Sequence, residues 1–175
     1  VTEEMSRIRL ILPGSTYDNP PIKDKINPLK STYEEFLNLV NNSKSTLSFK
    51  FFYFNYLGLS PWISREICIS ANIDEDRPLS SLNPDELNRL YTSFKNYMDK
   101  VNNKDFTPLY ITTKDENEIV AFHSLDIEQY GMENRYLLDS ISKVLDICYS
   151  RKDTLDRINQ KSQSIRKSIH VKLDR

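Results

Sequence analysis

The sequence predicts a mainly helical α+β fold with a small β-hairpin and a long C-terminal helix, a coiled-coil arm. Apolar residues recur at helical spacing through residues 31–104. Two β-rich runs, Thr107–Thr113 and Glu118–Ser124, come next, and the polar tetrapeptide that bridges them is typical of a hairpin. From Ile141 onward, apolar residues alternate three and four positions apart, which predicts one helix of a coiled coil.

Charge is nearly balanced over the whole chain but unevenly distributed along it. The 175 residues contain 24 Lys and Arg residues and 25 Asp and Glu residues. Residues 151–175 carry eight of the basic and three of the acidic residues, a net charge of +5, which leaves −6 on residues 1–150. A basic tail on an acidic body is compatible with nucleic-acid contact. The alternative is that the tail is only the solvated face of a charged helix.

A turn at Gly58 is the feature around which the helices are arranged. An apolar helical run over residues 45–57 leads into Gly58, whose expected positive φ stops that helix. Ser60 is then predicted to be the N-cap of the next helix, 61–71, with Pro61 as its first residue. Two helices joined by so short a turn must cross sharply and pack together.

The same turn is a candidate anion site, because backbone N–H groups and the positive end of the helix dipole meet at a helix N-terminus. The predicted nucleic-acid-binding residues are therefore Gly58 and Ser60, together with the nearest cations, Arg65, Lys44 and Lys50. Two alternatives stay open. The turn can be a corner that only packs the core, and Arg65 can pair with a nearby carboxylate.

The helix over residues 45–57 is predicted to be central and buried, because aromatic residues cover more than one of its faces. A base-stacking aromatic platform is the functional alternative for this helix. One further helix begins after Ser31 or Thr32, and another is capped by Asn83, with Glu86 closing a capping box. The predicted core consists of Phe49, Phe52, Leu57, Ile63, Ile67, Leu87, Leu90 and Phe94.

These patterns divide the chain into four parts. Residues 1–30 are the tail of a preceding domain and a Pro-rich linker, with a short strand at Ile8–Leu12, and residues 31–104 form the helical module. Residues 105–138 contain the hairpin, which we expect to pack back on the N-terminal domain, because two strands alone must pack on the helices or pair with strands missing from this piece. Residues 139–175 begin the coiled coil. Because the chain starts without Met and ends within a helical pattern, we expect a piece of a longer protein.

The sequence lacks the motifs of the common catalytic and metal sites. It has three Gly residues and no Gly-rich phosphate loop. Its cysteines, Cys68 and Cys148, and its histidines, His123 and His170, are too scattered for a metal site. We therefore expect no enzymatic activity, no cofactor, two buried free thiols in a reducing compartment, and a structural role for His123. No apolar run is long enough to span a membrane.

The stretch Gly58-Leu59-Ser60-Pro61, followed by Arg65-Glu66 and a capped helix at residue 84, resembles the helix–two-turn–helix module of the formamidopyrimidine-DNA glycosylases. Those enzymes need an N-terminal Pro nucleophile followed by Glu, and usually a zinc finger, and neither is matched here. Pro61 also occupies the position where they carry a phosphate-contacting Asn. The resemblance therefore implies the fold of the module and not the glycosylase reaction.

A second resemblance covers essentially the whole chain. The sequence resembles the NFACT family, also known as the fibronectin-binding protein A family, in the order and spacing of four motifs: Leu10-x-Leu12-Pro13-Gly14-x-x-Tyr17, Pro20-Pro21, Lys25 with Asn27-Pro28, and Gly58-Leu59-Ser60-Pro61 with Arg65-Glu66-Ile67. The resemblance implies an N-terminal domain, a helical module, a long coiled coil and a C-terminal RNA-binding domain. This chain would span the end of the first, the second, and the start of the third.

The NFACT resemblance implies a cytosolic protein that binds the large ribosomal subunit and tRNA and supports template-free alanine addition to stalled chains. Peptide-bond chemistry would then belong to the ribosome, so no small-molecule substrate is implied. The family's other name implies an alternative, a cell-surface adhesin that binds fibronectin. Salt distinguishes the two, because RNA binding falls steeply as counterions are released, whereas binding through an apolar patch falls much less.

Overall fold

The computed structural model describes residues 25–116, 118–131 and 133–173, together with Gly14 and Thr16. Within these residues, five α-helices and one small antiparallel sheet form the fold, which confirms the predicted mainly helical α+β class. The predicted strand at Ile8–Leu12 lies outside the described residues. The helices are α1 (Tyr33–Asn42), α2 (Ser48–Asn55), α3 (Pro61–Ser70), α4 (Pro84–Asn102) and α5 (Ile141–Leu173).

Side-chain caps begin three of the helices at the predicted positions. Thr32 caps α1 and Asn83 caps α4, and each closes a capping box. In the second box, the Asn83 side chain accepts from the N–H of Glu86 at 2.9 Å, and the Glu86 carboxylate accepts from the N–H of Asn83 at 2.8 Å. Ser60 caps α3 by accepting from the N–H of Ile63 at 3.3 Å. These caps satisfy backbone donors that a helix start otherwise leaves without a partner.

Aromatic side chains fill the centre of the helical module. Phe51 and Phe52 of α2 are fully buried. The Phe52 ring centroid lies 5.2 Å from that of Phe94 in α4 and 6.3 Å from that of Phe36 in α1, so α2 contacts both neighbouring helices. The predicted core residues that are buried are Phe49, Phe52, Ile63, Ile67, Leu90 and Phe94, whereas Leu87 is only partly buried.

The core prediction for Leu57 is wrong, because the side chain is 40% exposed. α2 ends at Asn55, earlier than predicted, because the backbone of Ile26 pairs with the residues that follow. The N–H of Ile26 donates to the Asn55 carbonyl at 2.9 Å, and the N–H of Leu57 donates to the Ile26 carbonyl at 2.9 Å. Gly58 therefore lies in the turn beyond the helix rather than at the helix end. Pro28–Lys30, in the predicted linker, form a short 3-10 helix.

The sheet contains three antiparallel strands, β1 (Leu109–Thr112), β2 (Ile119–His123) and β3 (Arg135–Leu137), with β1 in the middle. β1 and β2 form the predicted hairpin. β3 was not predicted. It pairs with the other edge of β1, and the ring of its Tyr136 stacks on Tyr110 with centroids 4.9 Å apart. The sequence predicted pairing with strands outside this piece as one way to stabilise the hairpin, whereas a third strand of the same chain pairs with it.

The sheet lies between the helical module and α5, so all four residues of β1 are buried. Leu109 and Ile111 face the module, where they pack with Trp62 of α3. Tyr110 faces the opposite way, because successive side chains of a strand alternate between faces, and it packs with Val144 of α5. The strand therefore connects two separate apolar clusters through one backbone.

The long C-terminal helix is present as predicted, but only its first turns are packed. Val144 is fully buried, whereas every side chain from Arg151 to His170 except Ser162 is exposed. The exposed apolar residues of this part, at the predicted heptad positions, are Leu155, Ile158, Ile165 and Ile169. The coiled coil itself stays a prediction. None of the helices in the described part of the chain is both long enough and apolar enough to cross a membrane.

Candidate nucleic-acid interface

The Gly58 turn is exposed and has the predicted backbone conformation. Gly58 has a φ of +74°, and a Cβ at this position would meet no atom within 4 Å. The Ser60 carbonyl accepts from the backbone N–H of Ser64 at 3.1 Å and from its hydroxyl at 2.8 Å. Together with the Ser60 side-chain cap, these bonds fix the start of α3 at the protein surface.

Lys44 does not lie beside the Gly58 turn, because the two are at opposite ends of α2. The helix has eight residues, so it is about 12 Å long at the usual rise per residue. Lys44 is exposed in the turn before α2, and its carbonyl accepts from the N–H of Ser80 at 3.0 Å. The sequence analysis placed Lys44 in one candidate site with Gly58 and Ser60. In the structure, Lys44 is separated from these two residues by α2.

Lys50 and Arg65 do converge, on the ring of Phe49. The Lys50 Nζ atom is 5.7 Å and the Arg65 Cζ atom is 4.6 Å from the ring centroid, distances at which a cation is attracted to an aromatic face. The Arg65 Nε atom also lies 3.2 Å from the carboxylate of Glu75. The ion pair that the sequence leaves open for Arg65 is therefore present, and a phosphate contact by this residue stays a prediction.

α2 also has an exposed side, which we call the α2 outer face and define by Lys50, Tyr53, Phe54 and Leu57. Tyr53 and Phe54 follow Lys50 by three and four positions and so lie on the same side of the helix, and Leu57 is exposed in the turn beyond the helix end. Phe54 is 54% exposed, and its ring centroid is 4.5 Å from that of Tyr53. The ammonium group of Lys25 donates to the Tyr53 carbonyl. One side of α2 thus forms the core, and the opposite side combines aromatic rings with a cation.

A second basic surface is the exposed part of α5, which we call the basic stretch and define as residues 151–167. Six exposed Lys and Arg residues outnumber two Asp residues there. The stretch is about 24 Å long at the usual helical rise. At its start, the guanidinium carbon of Arg151 lies 5.8 Å from the ring centroid of Tyr110, so this cation also contacts the sheet. The remaining cations extend away from the sheet along the helix.

Sequence reasoning missed the role of Glu66, a fully buried carboxylate in α3. It accepts from the backbone N–H of Glu128 at 2.6 Å, from the side-chain amide of Gln129 at 2.9 Å and from the hydroxyl of Tyr97 at 3.2 Å. Glu66 follows Ile63 by three residues and therefore lies on the apolar side of α3, a signal that could have identified it. These bonds tie α3 to α4 and to the loop after β2, which is a structural role.

Burial shifts the pKa of two titratable groups away from these surfaces, the buried Cys68 and the half-buried His123. Both cysteines are buried free thiols, as predicted, and burial, together with the carboxylates of Glu75 and Asp74, raises the pKa of Cys68 to about 12. Burial lowers the pKa of His123, whose Nδ1 atom accepts from the N–H of Leu125 at 3.0 Å. Among the described residues, no group of His, Cys, Asp and Glu side chains is placed to hold a metal ion.

The similarity to known proteins covers all or nearly all of the sequence. The family model described as NFACT N-terminal and middle domains matches residues 1–175. The Rqc2 homolog RqcH of Bacillus subtilis (strain 168) is 28% identical over 169 residues, which cover 97% of this chain and 27% of that protein. The chain thus spans about a quarter of the length of this relative.

Two solved structures are similar to this one. The N-terminal part of the fibronectin/fibrinogen-binding protein from Streptococcus suis is 25% identical with a TM-score of 0.53, over 86% of this chain and 45% of that chain. The fibrinogen binding protein from Staphylococcus aureus is 21% identical with a TM-score of 0.50, over 78% of this chain and 45% of that chain, and shows the fold alone. Because the family match includes every residue, this chain belongs to the NFACT family.

Proposed function

We propose that this chain is the RNA-binding module of a cytoplasmic ribosome-associated quality control protein and that it contacts tRNA and the large ribosomal subunit. Its role is to bind and position RNA, with no small-molecule substrate, cofactor or catalytic group of its own. Membership of the NFACT family and the match of 97% of the chain to an Rqc2 homolog support this assignment.

The observation that carries the proposal is the basic stretch of α5. Its cations are exposed, and residues 157–167 contain no acidic residue. Lys and Arg side chains that neutralise phosphates release condensed counterions, which gives RNA binding its affinity and its salt dependence. A straight helix that carries such cations along about 24 Å can follow an RNA backbone without reading its sequence. The proposed contacts therefore position the protein on RNA.

Fibronectin binding is the second candidate function. It is supported by the similarity to the fibronectin/fibrinogen-binding protein of Streptococcus suis, which matches 86% of this chain. A protein partner would contact apolar side chains more than cations, and Leu155 and Ile158, which lie among the cations of the basic stretch, are exposed. This alternative also implies a location at the cell surface.

The test is co-sedimentation of the full-length protein with purified large ribosomal subunits across a salt series. A variant with Arg157→Gln, Lys161→Gln and Arg166→Gln is compared with one carrying Lys30→Gln, Lys104→Gln and Lys114→Gln, which removes the same charge from exposed positions outside α5. We expect the first variant to flatten the slope of log affinity against log salt by about two units, and the second to leave it unchanged.

Equal slopes for the two variants, or sedimentation that does not depend on salt, would overturn the proposal. Binding to immobilised fibronectin is measured in parallel with the same variants. Tight fibronectin binding that resists salt, in a protein that does not sediment with the ribosomal subunit, would support the second candidate.

A further inference from the structure

We propose that the α2 outer face binds single-stranded RNA by stacking an unpaired base on Phe54 while Lys50 contacts the neighbouring phosphate. This inference rests on the proposed RNA-binding function and adds to it the class of RNA and the side chain that contacts a base. The site differs from the basic stretch of α5, which contacts phosphate only.

The exposure of Phe54 is the first observation. Its neighbours in the helix, Phe51 and Phe52, are fully buried in the core, whereas Phe54 is more than half exposed. Its ring packs beside that of Tyr53 with centroids 4.5 Å apart, so Phe54 belongs to an aromatic pair and is not a single exposed side chain. Surfaces of this kind mark sites of interaction more often than isolated exposed residues do.

The rigidity of this surface is the second observation. α2 is held from the opposite side, where Phe52 packs against the aromatic core. Beside the exposed ring, the ammonium group of Lys25 bonds the Tyr53 carbonyl and so ties the helix to the segment before α1. A phenyl ring on such a fixed helix loses little conformational freedom when a base stacks on it. The surface is therefore organised before any ligand binds.

The position of Lys50 is the third observation and favours RNA as the occupant. Lys50 is one helical turn from Phe54 on the same face, and none of the described carboxylates lies within ion-pair distance of its Nζ atom. Arg65, in contrast, is paired with Glu75. The Lys50 Nζ atom lies 5.7 Å from the ring centroid of the buried Phe49, and the exposed ring of Phe54 follows one helical turn later. A cation without a carboxylate partner and an exposed ring on one side of a helix match the two features of a nucleotide, a phosphate and a stackable base.

The charges around α2 are unevenly distributed. Glu75 lies at the N-terminal end of the helix, since its carbonyl accepts from the N–H of Phe49 at 3.2 Å, and Asp74 and Asp76 are exposed beside it. Lys50, the third residue of α2, lies at this same end and is the cation nearest to Phe54 along the helix. Residues 48–65, which include α2 and the Gly58 turn, carry no acidic side chain of their own, so the surface from Phe54 toward the turn does not repel a phosphate.

An unpaired base is required because bases inside an RNA duplex are stacked on one another and cannot contact a side-chain ring. Loops and single strands expose such bases, and stacking on an aromatic side chain tolerates any base identity. The same surface could instead serve a protein partner, since aromatic and basic side chains are enriched in protein interfaces too. The experiment separates these occupants.

The test measures binding of the full-length protein to a short oligoadenylate and to an abasic oligoribonucleotide of equal length and charge, across a salt series. We expect the wild-type protein to prefer the oligoadenylate by about tenfold, the contribution of one stacked base. Phe54→Ala should remove the preference without changing the salt slope, and Phe54→Trp should keep it. Lys50→Gln should keep the preference and lower the slope by about 0.7.

The matched control is Phe106→Ala, which removes another exposed phenyl ring outside α2 and should change neither quantity. Thermal melts of all variants check folding. A preference that survives in Phe54→Ala, or is absent from the wild type, would overturn this inference and leave the basic stretch untouched. Failure of the wild-type protein to bind either oligonucleotide or the ribosomal subunit would instead overturn the proposed function. Loss of fibronectin binding in Phe54→Ala, with the base preference intact, would assign the face to a protein.

Discussion

The buried carboxylate of Glu66 in α3 accepts a hydrogen bond of 2.6 Å from the backbone N–H of Glu128, in the loop that follows β2. The two residues are 62 positions apart, so the bond ties the helical module to the segment that leads from β2 to β3. Gln129 adds its backbone N–H at 3.3 Å and its side-chain amide at 2.9 Å to the same carboxylate. The loop is therefore held by one side chain rather than by an apolar contact alone.

Replacing Glu66 is the first prediction. Glu66→Ala should lower the free energy of unfolding by at least about 2–3 kcal/mol, because it removes a charged acceptor and leaves buried donors without a partner. Glu66→Gln should cost less, since its amide oxygen can still accept. Urea denaturation measures both, with the exposed Glu133→Ala as the control. A Glu66→Ala chain as stable as that control would show that the network contributes nothing.

The aromatic core gives the second prediction. Phe52→Ala should lower the free energy of unfolding by about 3–5 kcal/mol, because it leaves a cavity in the centre of the module. Phe54→Ala in the same helix is the matched control and should cost less than about 1 kcal/mol, since its ring is largely exposed. Thermal melts compare the two. If Phe52→Ala melts within a degree or two of the wild type, Phe52 does not belong to the core.

The backbone of Gly58 gives the third prediction. Gly58→Val should destabilise the chain by more than about 1 kcal/mol, because a β-branched residue strongly disfavours a φ of +74°. A Cβ at this position would meet no atom within 4 Å, so the expected cost comes from the backbone conformation. Gly58→Asn has comparable bulk but tolerates the left-handed conformation and should cost less. Equal losses for Val and Asn, measured by urea denaturation, would point to a cause other than the backbone.

The fourth prediction concerns Arg65. If its side chain contacts phosphate in the ribosome-bound state, Arg65→Glu should weaken binding to the large subunit and flatten the salt slope by about one unit. The ion pair with Glu75 complicates this variant, because Arg65→Glu places two carboxylates opposite each other. The double variant Arg65→Gln with Glu75→Gln removes both charges of the pair, so it isolates the loss of the cation without leaving a carboxylate unpaired.

Three outcomes distinguish the roles of Arg65. A double variant that folds but binds with the reduced slope supports the phosphate contact. Normal binding by the folded double variant makes Arg65 an ion-pair partner that packs on Phe49. Unfolding of the single variant alone, judged by a thermal melt, leads to the same structural role.

The fifth prediction is a pH dependence of stability. Burial lowers the pKa of His123 below its ordinary value of 6.5, so the folded chain binds this proton less readily than the unfolded chain does. The contribution of neutral His123 to the stability of the folded chain is therefore complete above pH 6.5. It is lost as the pH falls through the lower pKa that His123 has in the folded state.

His123→Asn provides the check, because its side-chain oxygen can accept from the N–H of Leu125 but does not titrate. Between neutral and mildly acidic pH, the variant should lose less unfolding free energy than the wild type loses. The control is His170→Asn, at an exposed position of α5, which should follow the wild type. Identical pH dependence in His123→Asn and wild type would mean that His123 does not contribute.

Local signals predicted three of the helix starts correctly, whereas α2, which has no side-chain cap, begins at Ser48 instead of near residue 45. Thr32, Ser60 and Asn83 cap the helices to which the sequence assigned them, because capping depends on residues within one turn. The errors come from contacts between distant residues. Leu57 continues the apolar pattern of α2, yet it is exposed because Ile26 pairs with the backbone there.

The missed strand β3 has the same cause. Three residues are too few to show an alternating pattern, and Arg135–Leu137 form a strand only because β1 has an edge to which they can bond. The candidate site was predicted only in part for a related reason. Sequence distance made Lys44 a neighbour of the Gly58 turn, whereas an intervening helix separates them. The convergence of Lys50 and Arg65 depends on how α3 packs on α2, which spacing along one helix does not reveal.

The uneven packing of α5 has a mechanical consequence. The first turns of the helix are packed against the sheet, where Val144 contacts Tyr110. The part from Arg151 to Leu173 extends beyond these contacts over about 33 Å. A tilt of about 5° at the packed first turns moves the C-terminal end by about 3 Å, a distance equal to the rise of roughly two helical residues. Small changes in side-chain packing beneath the sheet are thereby amplified at the tip. The orientation of the exposed part of α5 is therefore determined by a few side chains in its first turns.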